Sequence, residues 1–130
     1  MGLGERRKMK ELQDITLPAR VEMIKEICGK SIPIEVDWDS LAEDGEALNF
    51  LDNLAGHRFC MALRMICVDE MMKEGVREWL FAVRLKNVTS KDQIRMTCDG
   101  GVLEMHCAYA LRTDGIVHEG EIRDILLKNI

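Results

Sequence analysis

Three side chains on one short stretch have the types and the spacing for chemistry. His57, Cys60 and Arg64 follow one another at steps of three and four residues, which places them along one side of a helix. Arg64 and His57 could together bind an anion or a carboxylate ligand, with the Cys60 thiol beside them. A cysteine one helical turn from a histidine is also the start of a nucleophilic site. No third group that orients the histidine is recognisable, so we assign no catalytic residue.

Arg64 is unusual because its neighbours are apolar: residues 59–68 contain no other polar side chain than Arg64 and the thiols. A run that is apolar on all sides predicts a central buried helix or a subunit interface. A buried guanidinium needs a partner, since an unpaired buried charge costs several kcal/mol. Two interpretations remain open. Arg64 forms an ion pair with Asp37, Asp39, Glu104 or a partner subunit's carboxylate, or it binds an anionic ligand.

A zinc site is the first metal to consider. His57, Cys60 and Cys67 lie at helical spacing, and His106 is followed by Cys107. Zinc needs about four converging ligands, but adjacent residues of a strand point to opposite faces. The sequence therefore predicts buried, inert thiols and no metal.

A calcium site is the second metal site to consider. Asp114, Gly115 and Glu121 resemble the second half of a calcium-binding loop. The ligand positions of the first half fall on Ala110 and Arg112, which cannot supply the oxygens. We therefore expect no calcium ion and no cofactor.

Composition narrows the class of protein. The chain has 130 residues, 47% of them hydrophobic, and a net charge of −5. One domain is the default for this length, and an acidic chain without a basic cluster argues against nucleic acid binding. No apolar run reaches the ~20 residues that span a bilayer, so we expect no membrane contact. Five cysteines without a CxxC pair indicate a reducing compartment, the cytoplasm.

Periodic patterns predict the elements that position these residues. The predicted elements are a helix from Thr16 to Gly29, a strand at 32–38, a helix opened by a Ser40–Glu43 capping box, the central helix from His57, a further helical stripe to Val83, a strand at 83–86 and a final helix around 122–126. The clearest signal is a tight hairpin around Gly100 and Gly101. Its predicted pairs are Cys98–Leu103, Met96–Met105, Ile94–Cys107, Thr97–Glu104 and Arg95–His106.

The predicted fold class is α+β. We expect a small antiparallel sheet of about four strands that includes the hairpin in the C-terminal half, with helices packed on one face around the central buried helix. Residues 1–14 read as a basic lead-in that is frayed, and residues 15–130 as a single domain.

The sequence indicates the function of the protein only in broad terms. The all-round apolar helix and nine methionines exceed what a small layered domain needs to bury. They favour a soluble, non-catalytic protein-binding or self-assembly module, either a homodimer or a partner of another protein. The alternative is a small-ligand domain or modest enzyme that uses His57, Arg64 and Cys60.

Overall fold

A computed structural model describes residues 2–130 of the chain. The helices are α1 (Leu3–Glu11), α2 (Leu17–Cys28), α3 (Gly45–Leu51), α4 (His57–Ile66), α5 (Glu70–Trp79) and α6 (Glu119–Asn129). The strands are β1 (Ile34–Val36), β2 (Ala82–Asn87), β3 (Arg95–Asp99) and β4 (Val102–Cys107). Within residues 2–130, no helix combines the length and the apolar character that crossing a membrane requires.

The four strands form one mixed sheet in the order β1-β2-β4-β3. The α+β class and the four strands are therefore confirmed. The antiparallel arrangement holds only for the hairpin, because β1 with β2 and β2 with β4 are parallel pairs. The long helical connection from β1 to β2 explains the first parallel pair, since such a crossover returns the chain in the same direction. The hairpin explains the second, because it turns β4 back beside β2.

The hairpin has the predicted register from Arg95–His106 to Cys98–Leu103. The pair Ile94–Cys107 is not part of it, since β3 begins at Arg95. Gly100 and Gly101 have φ of 58° and 80°, the left-handed conformation of a two-residue turn. Gly101 is also required by space: a Cβ there would lie 2.6 Å from the Trp79 carbonyl oxygen.

Helices cover one face of the sheet and leave the other open. Val83, Leu85, Leu103 and Met105 are buried beneath the helices. The alternate side chains, such as Arg84, point to the open face and pair across strands, as Arg84 does with Glu35 at 3.1 Å. The period of two in the sequence therefore separates the two faces as expected.

Two long helical segments form part of the helical layer, together with α5 and α6, and each of the two contains a five-residue π-helical turn. Leu12–Thr16 joins α1 to α2, and Asp52–Gly56 joins α3 to α4. Residues 2–14 of the expected lead-in are thus largely helical: α1 packs on α3, and Leu12 is fully buried. Met1 lies outside the described residues.

Two helix starts differ from the expected ones. Thr16 caps nothing because the helix passes through it. The cap of α3 is Asp44, whose carboxylate accepts from the Ala47 N–H at 3.0 Å, and not Ser40. The C-terminal end of α2 is as predicted, with Gly29 in the left-handed conformation.

The central helix α4 is buried on one side only. Phe59, Cys60, Ala62, Leu63 and Ile66 belong to the core. Arg64 and Met65 are exposed, and the helix ends at Ile66. The domain itself therefore supplies only part of the expected cover around the central helix. The domain covers the inner face itself, and the outer face meets solvent.

Candidate functional site

The three residues singled out from the sequence lie on α4, but they differ in environment. His57 is the first residue of the helix and is half-buried, Cys60 is fully buried, and Arg64 is exposed. Within the described part of the chain no hydrogen bond joins His57 to Cys60. The structure thus places the three on one helix, and among the described residues no hydrogen bond connects their side chains.

A closer polar contact lies beside Cys60, between α2 and the π-helical turn before α4. Arg20 donates from Nε to Asp52 Oδ1 at 2.8 Å and from Nη2 to Oδ2 at 2.9 Å. Only 18% and 22% of the two side chains is exposed, so this is a two-bond, partly desolvated ion pair. The hydrogen bond to Asp52 raises the pKa of Arg20. The pair ties the two long helical segments together.

Gly56 makes this contact possible. A Cβ at this position would lie 2.8 Å from Asp52 Oδ1 and 3.2 Å from Arg20 Cγ, which is too close for any larger residue. Sequence spacing could not reveal the pair, because its members are 32 residues apart and lie on different elements. The lone glycine inside a helical stretch was the one local sign of a close approach.

The Cys60 thiol is not activated. Burial raises its pKa, and the Asp52 charge acts in the same direction, while Arg20 and Arg64 oppose both. A thiol with a raised pKa stays protonated near neutral pH and is a poor nucleophile. Burial also raises the pKa of Cys67 and of Cys98 to about 11.

Arg64 does not form the expected ion pair. Among the described residues it makes no salt bridge, and Glu104 contacts His106 instead, at 3.1 Å. Asp37 accepts from the Ser40 backbone. The argument for a buried partner is wrong because α4 carries this side chain on its solvent side. An exposed guanidinium needs no partner, since water solvates it.

Neither a cleft nor a group of metal-ligating side chains adds to the site suggested by His57, Cys60 and Arg64. A cleft of about 300 Å³ lies between α2 and β1, lined by Leu17, Pro18, Val21, Ile34 and Trp38 among others, and none of the three α4 residues borders it. Within residues 2–130 no three of the side chains that ligate metals converge.

The most distinctive surface lies where α4 ends. Met65, Val68 and Met71 are 42%, 73% and 74% exposed, and they follow one another through the end of α4 and the start of α5. The aspartate that caps α5, Asp69, accepts from the Met72 N–H at 2.9 Å. Because this cap starts a new helix, the chain turns here and presents apolar side chains outward.

The end of α6 reaches the same region. Arg58 donates to Glu119 at 2.7 Å, which places the first turns of α4 and α6 side by side. A Cβ on Gly75 of α5 would meet Ile130, so the chain after α6 lies against α5. We call the exposed apolar set Met65, Val68 and Met71 the apolar corner.

Comparison of the chain with protein-family models, with curated proteins and with solved structures finds no match.

Proposed function

We propose that this protein is a non-catalytic module that acts through protein–protein contact, and that the apolar corner binds a partner protein. The observation that carries the proposal is the exposure of Met65, Val68 and Met71 in one short stretch. Single exposed apolar side chains are ordinary. Several together, in water, favour a surface that another protein covers.

The make-up of the corner suits a protein partner. Methionine side chains are flexible and polarisable, so they adapt to different apolar surfaces. Charged groups border the corner: Arg64 precedes Met65, and the Glu70–Arg77 ion pair of 2.6 Å lies on the exposed side of α5. An apolar centre with a polar border is the usual arrangement of a protein interface.

The reactive groups of the chain support binding rather than catalysis. Burial raises the pKa of the Cys60 thiol, and among the described residues no hydrogen bond connects the side chains of His57, Cys60 and Arg64. The five cysteines are free, which fits the cytoplasmic location that we propose. The partner is a second copy of this chain or another protein.

A paired set of variants tests the corner. Val68→Glu with Met71→Glu places two charges in the apolar corner. The control pair, Leu3→Glu with Ile15→Glu, places two charges on other exposed apolar residues, which are 64% and 67% accessible. We expect quantitative co-purification from cells to recover a partner with the wild type and the control pair. The same partner should be lost with the corner pair.

The outcome is decisive in either direction. All three proteins should fold alike, because the substituted side chains are exposed; circular dichroism checks this. Equal recovery of every protein with both pairs of variants would remove the apolar corner as a binding surface.

Anion binding is the second candidate function, and the exposed, unpaired guanidinium of Arg64 favours it. We expect a carboxylate or phosphate ligand that binds Arg64 and His57 to raise the melting temperature of the wild type but not of Arg64→Met. Identical thermal shifts of the two proteins across such a set of anions would remove this candidate.

A further inference from the structure

The two edge strands of the sheet, β1 and β3, differ in length and composition. β1, at one end, is three residues long and follows Pro33, and such short edges pair poorly. β3, at the other end, has five residues, Arg95–Asp99, without proline or glycine. Its middle residue, Thr97, is uncharged and half-buried. β3 therefore has no proline, no bulge and no charge at its centre, and its two charged residues, Arg95 and Asp99, lie at its ends.

The hairpin register determines which backbone groups face this edge. Asp99 pairs with Val102 across a two-residue loop, and the closing pair of such a hairpin exchanges both of its hydrogen bonds. The backbone groups of Asp99, Thr97 and Arg95 thus point to β4, and those of Met96 and Cys98 point outward. The carbonyl of Cys107 supports this alternation on β4, since it accepts from Val88 N–H at 2.9 Å on the β2 side.

The outward groups are available. In the part of the chain that the structure describes, no further hydrogen bond reaches the N–H or C=O of Met96 or Cys98. Both side chains are half-buried and point to the helical side of the sheet, while Arg95 and Asp99 are exposed. A strand laid against this edge would gain about four backbone hydrogen bonds from these two residues.

A second copy of the same strand is complementary to it. In an antiparallel pair centred on Thr97, Met96 lies opposite Cys98 of the other copy, so the outward backbone groups meet each other. Arg95 then lies opposite Asp99 of the other copy, and Thr97 opposite Thr97. Opposite charges and threonine pairs are favourable across strands. Registers shifted by two residues lose both Arg–Asp pairs.

We propose that two copies of this chain associate through their β3 strands, antiparallel and centred on Thr97, into one continuous sheet with the strand order β1-β2-β4-β3-β3-β4-β2-β1. The twofold axis passes through the Thr97 pair and makes the contact self-complementary. The proposal goes beyond the apolar corner, which takes no part in it. Each dimer would present two such corners to other proteins.

Charge reversal tests the register. In Arg95→Asp alone, an aspartate faces Asp99 of the other copy in both symmetric positions, and in Asp99→Arg alone, an arginine faces Arg95. Each variant alone should self-associate at least roughly tenfold more weakly than the wild type. An equal mixture of the two variants, however, brings opposite charges together at both positions. Sedimentation velocity should show the mixture as a heterodimer.

Two control variants show whether a loss of the dimer is specific to the β3 contact. Lys91→Asp reverses an exposed charge that precedes β3 and should leave the dimer intact. Val68→Glu with Met71→Glu should also leave it intact, so loss of the corner and loss of the β3 contact are told apart. Circular dichroism confirms that each hairpin variant is folded.

A wild type that sediments as a monomer at every concentration overturns the proposal. So does a wild-type dimer that Arg95→Asp does not weaken, or a mixture of the two reversed variants that stays monomeric although both are folded. A wild type that is monomeric at every concentration would also exclude a second copy as the partner of the apolar corner, but none of these results bears on the binding of a different protein there.

Discussion

Glu119 illustrates how one residue links the fold to pH. It lies in the first turn of α6 and accepts from Arg58 at 2.7 Å, and this hydrogen bond lowers its pKa below the ordinary 4.5. A carboxyl group whose folded-state pKa is lowered stabilises the fold above its unfolded-state pKa, and the contribution is lost as pH falls through the lowered value. We therefore expect Glu119→Gln to be less stable than the wild type at neutral pH.

That difference should shrink towards zero as the pH falls well below 4.5, because the wild-type carboxyl is then protonated as well. Urea unfolding at neutral and acidic pH measures it. Glu121→Gln is the matched control, since it removes a charge from the same helical turn without breaking an ion pair. Parallel pH profiles for the two variants would mean that the Arg58 contact contributes nothing specific.

Individual residues also show what local spacing can predict. The spacing of His57, Cys60 and Arg64 correctly places them on one helix, but it carries no information on which side of that helix faces water. The contact between Arg20 and Asp52 was missed because it depends on how two distant segments pack. Charge and periodicity describe a residue's own element, whereas partners are set by the tertiary fold.

At the scale of elements, α2 and α5 stabilise each other's ends. Lys30, just after α2, donates to the carbonyls of Arg77 and Leu80 at 2.9 and 3.2 Å. Arg77 of α5 donates to the Cys28 carbonyl at 2.9 Å. The Cys28 and Arg77 carbonyls belong to the last turns of α2 and α5 and have no partner within the helix, and Leu80 directly follows α5. Cations at such ends also interact favourably with the helix dipole.

We expect Lys30→Met to lower the free energy of unfolding by about 1–2 kcal/mol, because it leaves carbonyl groups at the end of α5 without a donor. Chemical denaturation measures the change. Lys25→Met is the control: Lys25 is an exposed lysine in the last turn of α2, and its loss should cost a few tenths of a kcal/mol. Equal effects would show that the charge matters and the capping contacts do not.

Elements with strong periodic or turn signals were predicted well, and their connections less so. The Gly100–Gly101 turn defines β3, β4 and their register without help from the rest of the chain. The π-helical turn Asp52–Gly56 inserts an extra residue per turn, so a regular helical projection fails across it. Parallel pairing of β1 with β2 depends on a long helical crossover, and pairing of β2 with β4 rather than with β3 depends on how the hairpin docks on the sheet; no local pattern records either.

At the scale of the whole molecule, the fold shows how the central apolar helix α4 is covered. The core extends from Leu12 in the first helical segment to Leu126 in α6, and it includes the inner face of α4. The solvent-facing side of α4 carries Arg64 and Met65, which need no cover for the fold to be stable. The sequence pattern alone left open whether the domain or a second copy shields this helix; the fold shows that the domain shields its inner face.

We expect a single copy of the chain to fold on its own. We expect Arg95→Asp, which weakens the proposed β3 contact, to unfold in one cooperative transition with a midpoint that does not change with protein concentration. The wild-type midpoint should rise with concentration, because association stabilises only the folded chain. Thermal melts followed by circular dichroism over a wide concentration range compare the two. A variant that is helical only at high concentration would mean that the core is completed by a second copy.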